Sequence, residues 1–228
     1  MGILLQVDSS KLLTGAANAA QAPENMNLWT LLNKGGWLMY PLYTLFVLAI
    51  FFFFERLIAI RKASRIDANF MNIIRDNIIS GNVSAARNLS KNTNNPVARM
   101  IDKGLQRIGK PIDSIEKSME NVGKLEMYKM ERNLNILSLI AGIAPMFGFL
   151  GTIIGMIQLF YDINKSGFEL QTIANGIYVK MITSGTGLII GLIAYVFHNF
   201  LTTQVDKTGN KMEAASADFL DILQEPTR

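Results

Sequence analysis

The chain has 228 residues, half of them hydrophobic, no cysteine and a formal net charge of +4. This composition is too apolar for an ordinary water-soluble domain of this length, and it excludes disulfides, thiolate metal sites and cysteine nucleophiles. The positive charge does not indicate nucleic-acid binding, because the basic residues are interleaved with acidic ones where they are most numerous.

The N-terminal region precedes the first long apolar segment. Residues 3–7 (ILLQV) are too short for the core of a signal peptide, and no positive charge precedes them. We therefore interpret residues 1–27 as a retained extracytoplasmic arm, although ANAAQA resembles a cleavage site. Residues 28–36 (LWTLLNKGG) predict a short interfacial helix, with Trp29 at the depth of the lipid headgroups.

Three largely uncharged segments are long enough to cross about 30 Å of hydrocarbon at about 1.5 Å per residue. They predict transmembrane helices over residues 37–60, 135–161 and 175–204. The expected fold is an all-α membrane protein with three spans.

Basic residues are unevenly distributed between the two sides of these spans. Fourteen of the 22 Lys and Arg lie between Arg61 and Arg132, whereas the loop over residues 162–174 holds only Lys165. The positive-inside rule therefore places residues 61–134 in the cytoplasm and the 162–174 loop in the periplasm. The N-terminus is then periplasmic and the C-terminus cytoplasmic.

The cytoplasmic region is helical by pattern. Short helices are expected in residues 61–134, one of them capped by Asn95 with Pro96 in its first turn. GKP at 109–111 ends that helix, and no stop signal follows until Gly167. The pattern therefore predicts one helix over about 112–163 that carries span two far into the cytoplasm. Span three is expected to continue through residues 205–228, and such extended apolar faces must pack on each other, on the helices within residues 69–108 or on another copy of the chain.

Small residues recur on one face of spans two and three with the spacing i, i+3, i+7. They are Gly148, Gly151 and Gly155 in span two, and Ser184, Gly187 and Gly191 in span three. Small residues let helices approach closely, and van der Waals contact drives association in lipid. Plain helix packing is the preferred interpretation of each glycine taken singly. Pro145 is expected to bend span two slightly.

Four hydroxyls lie at matched depth in the two antiparallel spans: Thr152, Thr183, Ser184 and Thr186. One hydroxyl alone can bond the carbonyl of its own helix, but the cluster predicts a polar ring that can hold water or pass a proton. No Asp or Glu lies in the hydrocarbon part of any span, so a proton pathway requires a carboxylate from another chain.

Two other ionisable residues occur near the span ends. Lys180 is expected to extend toward the outer interface, and His198 is interpreted as an interfacial side chain beside Asn199 in preference to a pH switch. The chain has no glycine-rich phosphate loop, no metal-spaced cluster and no nucleophile elbow. We therefore expect no enzymatic activity, no metal and no cofactor.

Four segments resemble the MotA/TolQ/ExbB proton-channel family, specifically its ExbB/TolQ branch. They are IAGIAPMFGFLGTIIGMIQLF (140–160), GIYVKMITSGTGLIIGLIAYVFHN (176–199), GGWLMYPLY (35–43) and FERLIAIRK (54–62). The resemblance implies a pentamer around a pore that holds two single-span ExbD-like helices, which supply the missing aspartate. It further implies an inner-membrane complex in which proton flow does work on a TonB-like protein and energises outer-membrane transport.

The resemblance also assigns roles to individual residues. Thr152 matches the family's pore threonine of span two, while Thr183 and Ser184 match its hydroxyl pair of span three, with Ser184 where threonine is usual.

The chain departs from the family pattern near these residues. Val179 and Lys180 replace a common Glu-Ala pair, and Ile193 replaces a common proline. Lys180 is then expected at the outer mouth, where it would repel cations or pair with a partner's acid. Two alternatives stay open: a TolQ-like or gliding-type motor for envelope integrity or motility, and a non-conducting membrane scaffold.

Overall fold

The structure is a computed structural model that describes residues 36–65, 67, 69–167 and 170–224. Every regular element within these ranges is an α-helix, as the predicted all-α class requires. The predicted arm over residues 1–27 lies outside the described residues, as does the predicted interfacial helix except for Gly36.

Seven helices form the described part of the chain. They are α1 (Met39–Ser64), α2 (Phe70–Ile79), α3 (Val83–Asn92), α4 (Pro96–Leu105), α5 (Ile112–Glu131), α6 (Leu134–Ser166) and α7 (Leu170–Gln224). Three of them, α1, α6 and α7, are long and apolar enough to cross a membrane. The number of these helices agrees with the three predicted spans, and the chain is a multi-pass membrane protein.

The single helix predicted over about 112–163 is in fact two helices. α5 ends at Glu131, Arg132 is extended (φ −51°, ψ 134°), and Asn133 is left-handed (φ 66°) before α6 begins at Leu134. Asparagine is one of the few residues with a side chain that tolerate this region, so one residue ends a helix without interrupting the apolar periodicity. The prediction of one unbroken helix from residue 112 through span two is wrong.

Span three, in contrast, continues without a break. α7 has 55 residues, which corresponds to about 80 Å. Its buried residues beyond the membrane alternate between spacings of three and four: Leu201, Val205, Thr208, Met212, Ala215, Phe219 and Ile222. α6 reaches Ser166 and α7 begins at Leu170, so helix occupies most of the segment that was predicted as a 162–174 loop.

The part of α7 beyond the membrane packs into a bundle with α4 and α5. Phe219, Met119 and Ile101 are fully buried there. A Cβ added at Gly104 would stand 2.6 Å from the Phe219 ring and 2.7 Å from the sulfur of Met119, so this glycine makes room for both side chains. Large apolar side chains therefore hold this bundle together.

Asn95 joins the bundle to the first span. Its side-chain oxygen accepts a hydrogen bond from the Val97 amide at 2.8 Å, which is the predicted helix cap. Its side-chain amide donates to the carbonyls of Ala63 and Arg65, each at 2.7 Å. One buried side chain thus satisfies backbone groups at the C-terminus of α1 and the N-terminus of α4.

Glu126 links α4 to α5 at the surface of the same bundle. Its carboxylate is nearly buried and accepts hydrogen bonds from Arg99 at 2.6 Å and from Lys129 at 2.7 Å. Burial favours the neutral acid, but the hydrogen bonds from Lys129 and Arg99 outweigh it, so the pKa of Glu126 lies below its ordinary value of 4.5.

Candidate functional site

α6 and α7 pack against each other through backbone atoms in the membrane-spanning region. A Cβ added at Gly187 would stand 2.6 Å from the carbonyl oxygen of Ala144, and one at Gly148 would stand 3.0 Å from the carbonyl oxygen of Ser184. Backbone atoms of two helices cannot move aside as the end of a side chain can. The two helices therefore approach as closely as small-residue contacts in lipid allow.

The same contacts set the axial register of α6 against α7. Gly151 faces the Cγ2 atom of Thr183, with 2.8 Å between that atom and an added Cβ. Gly155 lies under the aliphatic stem of Lys180, and Gly191 lies against the ring of Pro145. All the residues predicted to pack in this region lie along this contact.

The four predicted hydroxyls do not share one side of the helix pair. Thr183 is only 1% exposed and sits at the centre of the contact, against Gly151. Because each helical residue turns by about 100°, Ser184 falls on one flank of Thr183 and Thr186 on the other. Within one chain, therefore, Ser184 and Thr186 lie on different sides of Thr183, and the polar ring of four hydroxyls stays a prediction.

The first span lies on the Thr186 flank. Phe197 follows Thr186 by eleven residues, about three turns, and its ring stacks on Phe53 of α1 with centroids 4.0 Å apart. A Cβ added at Gly151 would also stand 3.7 Å from the side chain of Leu38, just before α1. Thr186 is thus turned toward α1 and away from Ser184.

Thr152 lies on the opposite flank together with Ser184. It follows Gly148 by one turn, and Gly148 touches the backbone of Ser184. Thr152 also directly follows Gly151, which contacts Thr183. Thr152 therefore lies at the same depth along the helix pair as Thr183 and Ser184. We call the side of the α6–α7 pair that carries Pro145, Thr152 and Ser184, away from α1, the open flank.

The hydrogen bonds of these hydroxyls decide what they offer to a ligand. The Thr152 hydroxyl donates to the carbonyl of Phe149 at 2.6 Å, and the Thr186 hydroxyl donates to the carbonyl of Ile182 at 2.8 Å. A hydroxyl whose hydrogen is used in this way still has lone pairs that accept. Thr152, on the open flank, is therefore an acceptor for a water or an acid.

Lys180 lies one turn from Ser184, toward the end of the pair where α6 and α7 connect. Its stem covers Gly155, and the residue is half-buried, as expected for an ammonium that extends toward the membrane interface. Across the part of the chain that the structure describes, no three His, Cys, Asp or Glu side chains are grouped closely enough to bind a metal.

A cavity at the other end of the pair was not foreseen from the sequence. It has a volume of about 160 Å³, and His198, Glu131 and Asp206 contribute to its lining. The sequence analysis treated His198 as an isolated interfacial residue. The available signal was its spacing, because His198 follows Gly191 by seven residues and Ser184 by fourteen.

Comparison with known proteins assigns this arrangement to a family. A sequence profile of the MotA/TolQ/ExbB proton channel family matches residues 92–214, more than half of the chain. The chain belongs to this family. Its members are channel and transport subunits rather than enzymes.

Individual relatives support the ExbB-like branch. A biopolymer transport protein ExbB homolog of Methanothermobacter thermautotrophicus is 27% identical over 181 residues, which cover 79% of this chain and 64% of the relative. An ExbB-like biopolymer transport protein of Synechocystis sp. is 27% identical over 199 residues, covering 84% of this chain and 77% of the relative. A biopolymer transport protein ExbB of Helicobacter pylori is 29% identical over 96 residues. This chain spans just under two thirds of the first relative.

Proposed function

We propose that this chain is the proton-channel stator subunit of an ExbB-ExbD-TonB-like motor. The motor uses the proton-motive force across the inner membrane of a double-membraned bacterium to power outer-membrane transport. The observation that carries the proposal is that Thr152 and Ser184 share the open flank at one level. The family match and the ExbB names of the relatives support it.

Several copies, five by the family resemblance, form a ring with their open flanks inward. α1 covers the other flank and presents large side chains that suit lipid, among them Tyr40, Phe51 and Phe54, which are 74%, 60% and 55% exposed. The open flank carries the hydroxyls of Thr152 and Ser184 at one level, beside exposed apolar side chains such as Phe149, and these two hydroxyls suit the wall of a pore.

Each polypeptide of the ring lacks a membrane carboxylate, so an ExbD-like single-span partner supplies an aspartate within the pore. A carboxylic acid needs a hydrogen-bond acceptor, whereas a carboxylate needs donors. Thr152 uses its hydrogen on Phe149 and offers only lone pairs. It therefore stabilises the partner's aspartic acid in its neutral form while that group passes the hydroxyl level.

The excess of basic residues between Arg61 and Arg132 places the bundle of α4, α5 and the end of α7 in the cytoplasm. Lys180 then lies at the periplasmic mouth, and the N-terminus is periplasmic. The bundle is in position to transmit motion to or from a TonB-like protein through the unbroken length of α7.

A non-conducting scaffold is the second candidate. The contact between Gly187 and Ala144 and the self-bonded hydroxyl of Thr152 require no pore. A TolQ-like or gliding-type motor would use the same channel and differ in the process that it drives.

The test compares a Thr152→Ala, Ser184→Ala double variant with Thr186→Ala. Each is co-expressed with its single-span partner and reconstituted in vesicles, where a pH-sensitive dye reports proton uptake. We expect the double variant to assemble normally and to lose at least about tenfold in flux, since about 1.4 kcal/mol, one hydrogen bond, is a tenfold change in rate. Thr186→Ala keeps normal flux. A scaffold gives no flux in any variant, including the wild type.

A further inference from the structure

A second polar site lies on the open flank, at the end near the bundle. It is a cavity of about 160 Å³ whose polar lining comes from Glu131, Asn135, His198, Thr202 and Asp206. We call it the inner pocket. The pocket is open on one side, so water can enter it.

The inner pocket is aligned with the hydroxyls by a seven-residue repeat. Ser184, Gly191 and His198 are separated by seven residues on α7, and Pro145 precedes Thr152 by seven on α6. Seven residues are nearly two full turns, with a drift of only about 20°, so each set forms a column along its helix. The Pro145 ring against Gly191 keeps the two columns in contact. His198 lies about 21 Å from Ser184 along α7.

Polar and small residues continue between the two levels. Asn135 lines both the inner pocket and a neighbouring groove on α6, and Ser138 and Gly142 line that groove as well. Ser138 precedes Pro145 by seven residues, so it belongs to the α6 column. The groove therefore brings small and polar groups from the inner pocket as far as Gly142, together with the apolar side chains of Leu139, Ile143 and Met146.

The ionisable groups of the pocket favour a proton carrier. His198 is the chain's only histidine, and its imidazole has two ring nitrogens, one that donates a proton and one that accepts one when the ring is neutral. Glu131 of α5 and Asp206 of α7 line the pocket with it, while α6 contributes the neutral Asn135. Lys129, the nearest basic residue on α5, is hydrogen-bonded to Glu126. The charged side chains that line the pocket with His198 are thus carboxylates, which attract protons, whereas Arg132, next to Glu131, interacts electrostatically with Glu55 of α1.

We propose that the inner pocket is the release site of the proton path and that His198 carries the proton through it. This inference rests on the proposed channel function. A proton that arrives through water adds to the unprotonated ring nitrogen of neutral His198. The N–H bond at the other nitrogen then breaks and gives its proton to pocket water, Glu131 or Asp206, and from there to the cytoplasm. The imidazole is neutral again but in its other tautomer, and a flip of the ring or proton exchange with pocket water restores the starting form before the next proton arrives.

The test uses vesicles that hold the full chain with its single-span partner and expose the bundle to the bath. We expect His198→Gln and His198→Ala to slow proton flux at least about tenfold, the low end of what a positioned proton-transfer group contributes. Imidazole added to the bath restores most of the flux to His198→Ala and leaves His198→Gln slow. Tyr195→Phe, which also removes an ionisable group from α7 but lies outside the pocket, keeps normal flux.

The outcomes separate this inference from the channel function. Normal flux in His198→Gln overturns the release site and leaves the channel standing, whereas a wild type without flux refutes the channel itself. Flux that His198→Ala loses and that bath imidazole does not restore also overturns the release site, because that result indicates a packing role for the side chain.

Discussion

The two halves of α7 are held in place by different physical interactions. In the membrane-spanning half, Gly187 meets the backbone of Ala144, and Gly191 meets Pro145. In the half beyond the membrane, Phe219 is fully buried and Met212 is 3% exposed. Apolar burial drives nothing between helices in lipid, so close backbone contact must hold them. In water, each Å² of buried apolar surface contributes about 25 cal/mol.

One seven-residue repeat serves both halves. The column of Ser184, Gly191 and His198 continues as Val205 and Met212. The side chains are small or polar as far as His198 and large and apolar beyond it. The helix is therefore continuous, but the side chains of this column change from small or polar to large and apolar after His198.

The largest loss of stability is expected in the bundle, where the burial of apolar side chains from water drives packing. Phe219→Ala should lower the free energy of unfolding of the bundle by about 3–5 kcal/mol, because a buried phenylalanine leaves a cavity. Leu192→Ala, which removes an apolar side chain that is 64% exposed in the membrane half, should cost far less. Denaturant titration of both variants in the same detergent measures the difference. Equal losses would remove the distinction between the two halves.

A smaller loss of stability is expected at the contact between the backbones of α6 and α7 in the membrane. Gly187→Ala places a Cβ against the Ala144 carbonyl and should destabilise the helix pair by about 1–3 kcal/mol, the usual cost of overpacking. Gly185→Ala meets open space, so it should be neutral or stabilise α7 by up to about 1 kcal/mol. Thermal unfolding of each reconstituted variant gives the comparison. The backbone contact is excluded if Gly187→Ala is as stable as Gly185→Ala.

The ion pairs of Glu126 with Arg99 and Lys129 should contribute modestly to the stability of the bundle. The pKa of Glu126 is lower in the folded state than the ordinary value of 4.5, so its stabilisation is present above about pH 4.5 and disappears as the pH falls through the folded pKa. Glu126→Gln should cost about 1 kcal/mol at pH 7, since both cations are partly exposed. In this variant, the free energy of unfolding should also depend less on pH below about pH 4.5.

Glu120→Gln is the matched control for that substitution. Glu120 pairs with Lys124 at the exposed surface of α5, so stability should not change measurably. If both glutamate variants behave alike between pH 7 and pH 3, the buried ion pair contributes nothing specific to the bundle.

The smallest effect is expected at the outer mouth. Lys180→Met keeps a stem that can cover Gly155 but removes the charge. Proton flux should rise about twofold at low ionic strength, and the gain should vanish near 1 M salt, where the Debye length is about 3 Å. Flux assays across a salt series measure it. A gain that is independent of salt would exclude an electrostatic role for Lys180.

The sequence predicted what depends on local pattern. Span length, the small-residue spacing around Gly148 and Gly187, the cap at Asn95 and the unbroken length of α7 all follow from periodicity and composition. Each of these features is determined by residues within a few turns of one another.

The features that the sequence did not predict depend on the backbone torsion angles of one residue or on contacts between residues that are far apart in the chain. Asn133 ends a helix through one left-handed residue, which leaves the apolar stripe intact. The side-chain amide of Asn95 bonds Ala63 and Arg65, some thirty positions earlier in the chain. Whether Thr186 or Ser184 faces away from α1 depends on where α1 packs, and helical spacing within α7 carries no information about that.

The most direct test of the channel account is the exposure of the open flank to water. The chain has no cysteine, so single Thr152→Cys, Ser184→Cys and Thr186→Cys variants each carry one thiol. In the assembled complex, a membrane-impermeant thiol reagent should label the variants at positions 152 and 184 and leave the one at position 186 unreacted. Labelling at position 186 with protection at positions 152 and 184 would contradict the account, because the pore would then lie on the α1 side.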